Sequence, residues 1–153
     1  MSHQLQWSPW HNFSRLDFSQ VPRSPGVYQL RWGLEAPKPI PRAAAVDNDG
    51  ILYIGKHESD LRSRIRGLHW DIIHYSQQVN SPTFNPTMIA NNIYHSAGYT
   101  YVRYLFKNIF PPQDLSVRWA TCPNPKSMER QLLNDYMIKY LSLPPLNTRL
   151  DRI

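Results

Sequence analysis

The chain has a single cysteine, Cys122, among its 153 residues. A disulfide within the chain and a metal site built from several thiolates are therefore excluded, and we expect a reducing, cytoplasmic setting. Long apolar runs are absent as well, and no segment approaches the roughly 20 apolar residues that a membrane-spanning helix needs. Residues 1–20 contain no apolar stretch typical of a signal peptide. These absences predict a soluble intracellular protein with no membrane partner.

Glycine is also scarce, with six residues, whereas proline occurs 14 times. This imbalance indicates stiff, extended connections rather than low-complexity disorder. The 17 Lys and Arg residues exceed the 11 Asp and Glu residues, which leaves a net charge of +6 at pH 7. Such an excess favours a polyanionic partner, because phosphate contacts release condensed counterions, but it is also common in proteins that bind no nucleic acid. Hydrophobic residues form 41% of the chain, which is enough for a single domain with its own core.

The sequence divides into an N-terminal arm, residues 1–20, and a single domain, residues 21–153. The arm is polar with interspersed Trp and Phe residues, so we expect it to lie on the domain or to form a contact surface. Two strands are predicted, over residues 27–32 and 51–54. The long loop between them, residues 33–50, carries several prolines and ends in a strong turn signal. The two strands should therefore form an antiparallel hairpin.

After the second strand the apolar period changes to that of a helix, with Ser59 or Asp60 as its cap. Its apolar stripe consists of Leu61, Ile65, Leu68 and Ile72.

The remaining chain predicts a second helix that begins at Asn85-Pro86 and ends at Gly98. Strands are predicted over residues 99–106 and 115–121, which are rich in aromatic and β-branched residues. A last helix is expected over residues 126–142. The order β-β-α-α-β-β-α indicates an α+β fold with a small antiparallel sheet of about three strands, and one extra strand candidate, flanked by helices.

Glu129 is the first candidate for a functional residue. At about 100° per residue it lies in the middle of the apolar face of the last helix, and Asp135 lies at the edge of that face. An isolated carboxylate on a buried face is costly unless it is paired or binds a metal. Alternatively, Glu129 is stabilised by the dipole near the helix N-terminus and partly solvated at the rim of the core. The apolar face is formed by Met128, Leu132, Leu133, Tyr136, Met137 and Tyr140.

The first helix carries a set of basic residues around its apolar stripe. Arg64 flanks one side, Arg62 and His69 flank the other, and Arg66 points further toward solvent. These side chains are either a solvated basic face, as on most helices, or they include a guanidinium directed at a phosphate group.

Five short motifs follow one another in a fixed order and together resemble the GIY-YIG nuclease family. That family has a G-[IV]-Y string on its first strand, Y-[IV]-G on its second, an arginine on the next helix, a glutamate on a later helix and a P-x-x-N-like ending. Arg64 is preferred to Arg62, because Leu61-Arg62-Ser63-Arg64 fits the family's Leu-x-x-Arg step. The matching elements are Gly26-Val27-Tyr28, Tyr53-Ile54-Gly55, Arg64, Glu129 and Pro144-Pro145-Leu146-Asn147, and they span roughly residues 21–149.

The resemblance implies a GIY-YIG-like α/β sandwich and a metal-dependent DNA endonuclease that hydrolyses phosphodiester bonds by in-line attack of water. Glu129 would hold one divalent cation, Mg²⁺ or Mn²⁺. Arg64 would stabilise the charge that develops on the phosphate. Tyr28 or Tyr53, near the positive charge of Lys56, would activate or orient the water.

The resemblance also implies supporting residues. Gly26, Gly55 and Asn147 would brace the site rather than react. The family often places a His, Tyr or Lys one turn after the arginine, where this chain has Leu68; His69 is the candidate for that role, and His74 is the alternative. Asp135 replaces Glu129 as the acidic candidate if the helix register differs.

The implied partner is double-stranded DNA, with restriction, repair or recombination as the setting. A homodimer that cuts both strands is one arrangement, and a nicking enzyme is another. A catalytically silent DNA-binding module on the same scaffold and a protein-interaction module are the alternatives from other functional classes.

Overall fold

A computed structural model describes residues 5–78 and 93–148. Its centre is a four-stranded antiparallel sheet in the order β1-β6-β2-β5, accompanied by a two-stranded sheet formed by β3 and β4. The predicted α+β class with a small antiparallel sheet is therefore confirmed. The strands are β1 His11–Asn12, β2 Gly26–Trp32, β3 Ile40–Pro41, β4 Val46–Asp47, β5 Ile51–His57 and β6 Leu115–Thr121.

Helices cover both faces of the four-stranded sheet. The apolar stripe of the first helix packs with Tyr28 and Leu30 of the sheet in the main core, whereas the last helix packs against Ile51 and Ile54 on the opposite face. The described helices are α1 Leu61–Trp70, α2 Ser96–Arg103 and α3 Pro125–Tyr140; α1 continues through a π-helical turn, Asp71–Tyr75, into a short turn, Ser76–Gln78. None of the helices in the described ranges is long and apolar enough to cross a bilayer.

The N-terminal arm is an integral part of this sheet. Its residues His11 and Asn12 form β1, which pairs with β6, and Phe13 is fully buried in the main core. His11 of the arm stacks on Trp119 of β6, with a distance of 4.6 Å between the ring centroids. The aromatic residues of the arm therefore serve in part to attach it to the domain.

The predicted strand over residues 99–106 is wrong, because residues 96–103 form α2. Aromatic and β-branched side chains suit a strand, but Ala97 and Tyr101, one helical turn apart, are both buried in the core. The carboxylate of Asp71 accepts the backbone N–H groups of Tyr94 and His95 just before α2 begins. Long-range packing thus overrides the local preference for a strand.

The helix predicted from Asn85 to Gly98 is only partly testable, since residues 85–92 lie outside the described residues. Gly98 does not end a helix; it lies near the start of α2. A Cβ atom at this position would lie 2.5 Å from the Cβ atom of Asp71. Glycine is therefore needed here for close packing against Asp71.

Asp47 organises the end of the long loop that precedes β5. Its buried carboxylate accepts the backbone N–H groups of Asp49, Gly50 and Ile51 at 2.8, 3.1 and 3.0 Å. The hydroxyl of Tyr136 on α3 donates a further hydrogen bond to Asp47 at 2.8 Å. One carboxylate therefore joins the loop to the last helix.

We expect Asp47→Ala to lower the free energy of unfolding by about 3 kcal/mol or more, because several buried donors lose their acceptor together. Tyr136→Phe removes one of those hydrogen bonds and should cost only about 1 kcal/mol. Urea unfolding measures both, with the exposed Asp49→Ala as the control, expected within about 0.5 kcal/mol of wild type. Equal losses for Asp47→Ala and Asp49→Ala would show that Asp47 does not organise the loop.

Candidate functional site

The pairing of β2 with β5 brings two tyrosines together. Tyr28 lies opposite Gly55, and Tyr53 lies opposite Leu30; since side chains alternate along a strand, both tyrosines project from the same face. Their rings are 5.9 Å apart between centroids, and both are buried. A Cβ atom at position 55 would lie 2.7 Å from Cζ of Tyr28 and 2.4 Å from Cε2 of Tyr53. Only glycine leaves room for this pair.

His95 completes the aromatic cluster from the start of α2. Its Nε2 atom lies 2.5 Å from the Tyr28 hydroxyl, and its ring centroid lies 5.2 Å from that of Tyr53. Its Nδ1 atom accepts the backbone N–H of Ala97 at 3.0 Å. Burial lowers the pKa of His95 well below its usual value, and the charge of Arg64 lowers it further. A neutral ring with Nδ1 as acceptor carries its hydrogen on Nε2, so His95 donates to Tyr28.

Arg64 on α1 is the cation of this cluster. Its Nη1 atom donates to the carbonyl of Tyr94 at 3.4 Å. Burial raises the pKa of Tyr53 to about 12 and that of Tyr28 well above its usual value, while the charge of Arg64 opposes both shifts. Arg62 is occupied elsewhere, because its Nε atom donates to the carbonyl of Val21 at 2.8 Å.

Glu129 lies on α3, on the other side of the sheet, and is linked to the tyrosine pair and Arg64 through its charge. Only 9% of the residue is exposed. Burial raises its pKa to about 7, with Lys56 and Arg64 acting in the opposite direction. Its charge also raises the pKa of Tyr28 and Tyr53.

Lys56 lies on β5 opposite Val27, on the face away from the tyrosines. Its ammonium group forms an ion pair with Glu58 at 2.9 Å. Its charge nevertheless lowers the pKa of Glu129, so Lys56 contributes to the electrostatics of the site from its rim.

Asn147 holds the outer edge of β5. Its side-chain oxygen accepts the N–H of Ile54, and its side-chain nitrogen donates to the carbonyl of Ile54, both at 2.9 Å. The neighbouring Leu146 N–H donates to the carbonyl of Leu52. This segment thereby pairs with an edge that would otherwise be open, directly beside Gly55. Gly26 lies at the start of β2, opposite His57 and Thr121.

The structure does not bring His69 to the tyrosine pair. Its ring packs against Phe13 and Phe18 at centroid distances of 5.2 and 5.0 Å, and Nε2 lies 3.4 Å from the carbonyl oxygen of Ser14. Burial lowers its pKa. His74 stacks on Trp70 at 4.4 Å. His69 and His74, the two candidates for the position after the arginine, therefore both pack against other side chains. His95 is the histidine that lies beside Tyr28.

Two residues of the cluster, His95 and Asp71, were missed by the sequence analysis. Asp71 is fully buried. Burial raises its pKa to about 6, whereas the hydrogen bonds from the backbone N–H groups of Tyr94 and His95 and the charge of Arg64 lower that pKa. The sequence did contain a signal for Asp71. It lies three residues after Leu68, on the apolar face of its helix, just as Glu129 lies on the apolar face of α3. His95 carries no comparable local pattern.

Comparisons of the chain with models of protein families, with curated proteins and with solved structures gave no match. What the site does must therefore be inferred from its own residues and their geometry.

We expect Gly55→Ala to destabilise the protein by about 1–3 kcal/mol, because the added methyl group displaces the rings of Tyr28 and Tyr53 from a packed core. Urea unfolding gives the loss, and the tyrosine ring signals in an NMR spectrum should shift together. Wild-type stability with unchanged ring signals would contradict the packing of the two rings around position 55.

The raised pKa of Glu129 predicts a pH-dependent stability. Folding favours the protonated carboxyl group, so the cost of burying the charge is absent below the unfolded pKa of 4.5, grows as the pH rises and is complete above about 7. We therefore compare the free energy of unfolding of Glu129→Gln with that of wild type at each pH. The difference should favour the variant more at pH 8 than at pH 4, by at most about 3 kcal/mol. Urea unfolding without divalent cations measures this gain. A difference that does not change with pH would contradict it, and Glu58→Gln serves as the exposed control.

Proposed function

We propose that the protein is a metal-dependent endonuclease with a GIY-YIG-like fold that hydrolyses phosphodiester bonds in double-stranded DNA. The observation that carries the proposal is the pairing of Tyr28 with Tyr53 at 5.9 Å between ring centroids, with the charges of Arg64 and Glu129 both acting on the pair. These residues are distant in the chain, and they are the ones on which the sequence resemblance depends. The α+β arrangement around a small antiparallel sheet suits a sandwich of that type.

Glu129 fits the role of holding a divalent cation. A buried carboxylate with a raised pKa is stabilised by a nearby cation, and Mg²⁺ is often bound through one or two carboxylates while it keeps several waters. Within the described ranges there is no group of three or more His, Cys, Asp or Glu residues that could hold a metal, and the proposal assigns Glu129 as a ligand of the ion. When bound, Mg²⁺ or Mn²⁺ supplies charge neutralisation at the scissile phosphate and the leaving oxygen.

The other side chains position the reactants. Arg64 offers a permanent positive charge to the non-bridging phosphate oxygens. The raised pKa values keep Tyr28 and Tyr53 protonated at neutral pH, so orienting the attacking water suits them better than removing its proton. His95 donates to Tyr28, which leaves the tyrosine hydrogen free to point toward another acceptor.

In the proposed reaction the water oxygen forms a bond to phosphorus while the ester P–O bond on the opposite side breaks. The attacking water loses a proton, and the leaving oxygen gains one. Gly55 and Asn147 hold β5, and with it the tyrosine pair, in place.

The outer side of α1 supports a nucleic-acid partner. Arg66, Trp70 and Tyr94 line a groove of about 300 Å³, in which Trp70 is 48% and Tyr94 66% exposed. Basic and aromatic side chains in one groove are typical of surfaces that follow a nucleic-acid strand. The groove adjoins the site, because Arg64 donates to the carbonyl of Tyr94.

Glu129→Ala should abolish Mg²⁺-dependent cleavage of plasmid DNA, with a loss of at least 100-fold, because it removes the ligand for the cation. Circular dichroism and DNA affinity should remain close to wild type. Glu58→Ala, a neighbouring exposed carboxylate, is the matched control and should retain cleavage. Undiminished cleavage by Glu129→Ala would refute the proposal.

The same assay separates the alternatives. Wild-type protein that binds duplex DNA with a steep salt dependence but leaves it uncut would indicate a DNA-binding module instead. Linear rather than nicked plasmid as the first product would support a homodimer that cuts both strands.

A further inference from the structure

A second polar site lies on the face of the sheet opposite the tyrosine pair. A cavity of about 340 Å³ opens there between α3 and the N-terminal arm. Its floor is formed by Gln29 and Arg31 of the central strand β2 and by Arg118 of β6. Gln29 is only 6% and Arg31 only 7% exposed. Buried polar groups on a central strand are uncommon, and they indicate a specific use.

Two arginines at this floor contact the same tryptophan ring. The guanidinium of Arg31 lies 4.4 Å from the ring centroid of Trp10, and that of Arg118 lies 4.6 Å from Trp10 and 4.3 Å from Trp7. Burial lowers the pKa of Arg118, and the charge of Arg31 lowers it further. The tryptophan rings therefore hold two like charges close together in a partly desolvated place.

The hydrogen bonds of the two arginines leave donors available. Arg118 donates through Nε to the side-chain oxygen of Gln29 at 2.9 Å. Arg31 donates through Nε and Nη2 to the carbonyls of Gly33 and Leu34. Among residues 5–78 and 93–148, Nη1 and Nη2 of Arg118 and Nη1 of Arg31 have no hydrogen-bond partner, and neither arginine forms an ion pair. Guanidinium groups of this kind suit phosphate oxygens.

The rest of the cavity suits the body of a small ligand. Ile54, Leu132 and the ring of Tyr136 form an apolar wall, and the lining also includes charged side chains, namely Asp47, Asp49, Asp135 and Lys139. The carboxylate of Asp47 already accepts backbone N–H groups and the Tyr136 hydroxyl. The volume lies in the range of small-molecule sites. The carboxylates in the lining disfavour a continuous polyanion, but they can accept hydrogen bonds from sugar hydroxyl or base amino groups.

We propose that this cavity binds a nucleotide through a terminal phosphate monoester held between Arg31 and Arg118, with the nucleoside against the apolar wall. A monoester carries close to two negative charges at neutral pH and so matches two guanidinium groups, whereas an internal phosphodiester carries one. The ligand is either a free mononucleotide or the phosphorylated 5′ end of a strand. This site is separate from the proposed nuclease site and does not depend on it.

Calorimetric titration in EDTA tests the proposal. We expect the four deoxynucleoside 5′-monophosphates to bind at least tenfold more tightly than the corresponding deoxynucleosides. Arg118→Gln should weaken that binding at least tenfold, and Arg118→Lys, which keeps the charge but loses the fork, should weaken it severalfold. Arg103→Gln, on α2 and outside the cavity, is the matched control and should bind as wild type.

Two further arms identify the ligand and its place. A 5′-phosphorylated single strand that binds at least tenfold more tightly than its 5′-hydroxyl counterpart identifies a strand end; binding confined to the mononucleotides identifies a free nucleotide. Glu129→Ala should bind as wild type, which keeps the result independent of cleavage. Deoxynucleosides that bind as tightly as monophosphates, or a loss of binding in Glu129→Ala but not in Arg118→Gln, would overturn the proposal. If the arginine variants do not fold, the wild-type comparison of nucleotides with nucleosides still decides it.

Discussion

The pairing of Tyr28 with Gly55 across β2 and β5 is the constraint on which the candidate site depends. The missing side chain at position 55 is the space in which the rings of Tyr28 and Tyr53 lie. A slip of one residue in this register would move the β5 tyrosine to the opposite face. The register is held from both sides, since β2 pairs with the inner edge of β5 and Asn147 bonds to both backbone groups of Ile54 on the outer edge.

Charge at the site is arranged around Arg64. Its guanidinium influences the tyrosine pair, His95, Asp71 and Glu129. Burial nevertheless outweighs its attraction, because the pKa values of Asp71 and Glu129 are raised to about 6 and about 7. A raised pKa means that burial destabilises the charged form of the carboxyl group. Groups with perturbed pKa values of this kind concentrate at functional sites. The cluster is therefore poorly explained by stability alone.

Much of the fold follows from periodicity that the sequence displays directly. The strand-like run over residues 27–32 and the helical spacing after Ser59 predicted β2 and α1. The place of Glu129 on the apolar face of α3 predicted a carboxylate either buried or at the rim of the core, and the structure buries it. Prediction failed over residues 99–106, where strand-like composition was overridden by packing against Asp71. His95 could not be predicted either, because its contact with Tyr28 joins residues 67 positions apart and depends on where α2 begins.

The central strand β2 carries buried polar side chains on both of its faces. Tyr28 points toward α1, whereas Gln29 and Arg31 form the floor of the cavity on the other side. A strand that is paired along both edges is among the most rigidly placed parts of a sheet, and rigid elements hold functional side chains more precisely than loops do. Because side chains alternate along a strand, neighbouring residues of β2 project from opposite faces of the sheet and belong to different sites. One strand can therefore position a tyrosine cluster and an arginine cluster that share no side chain.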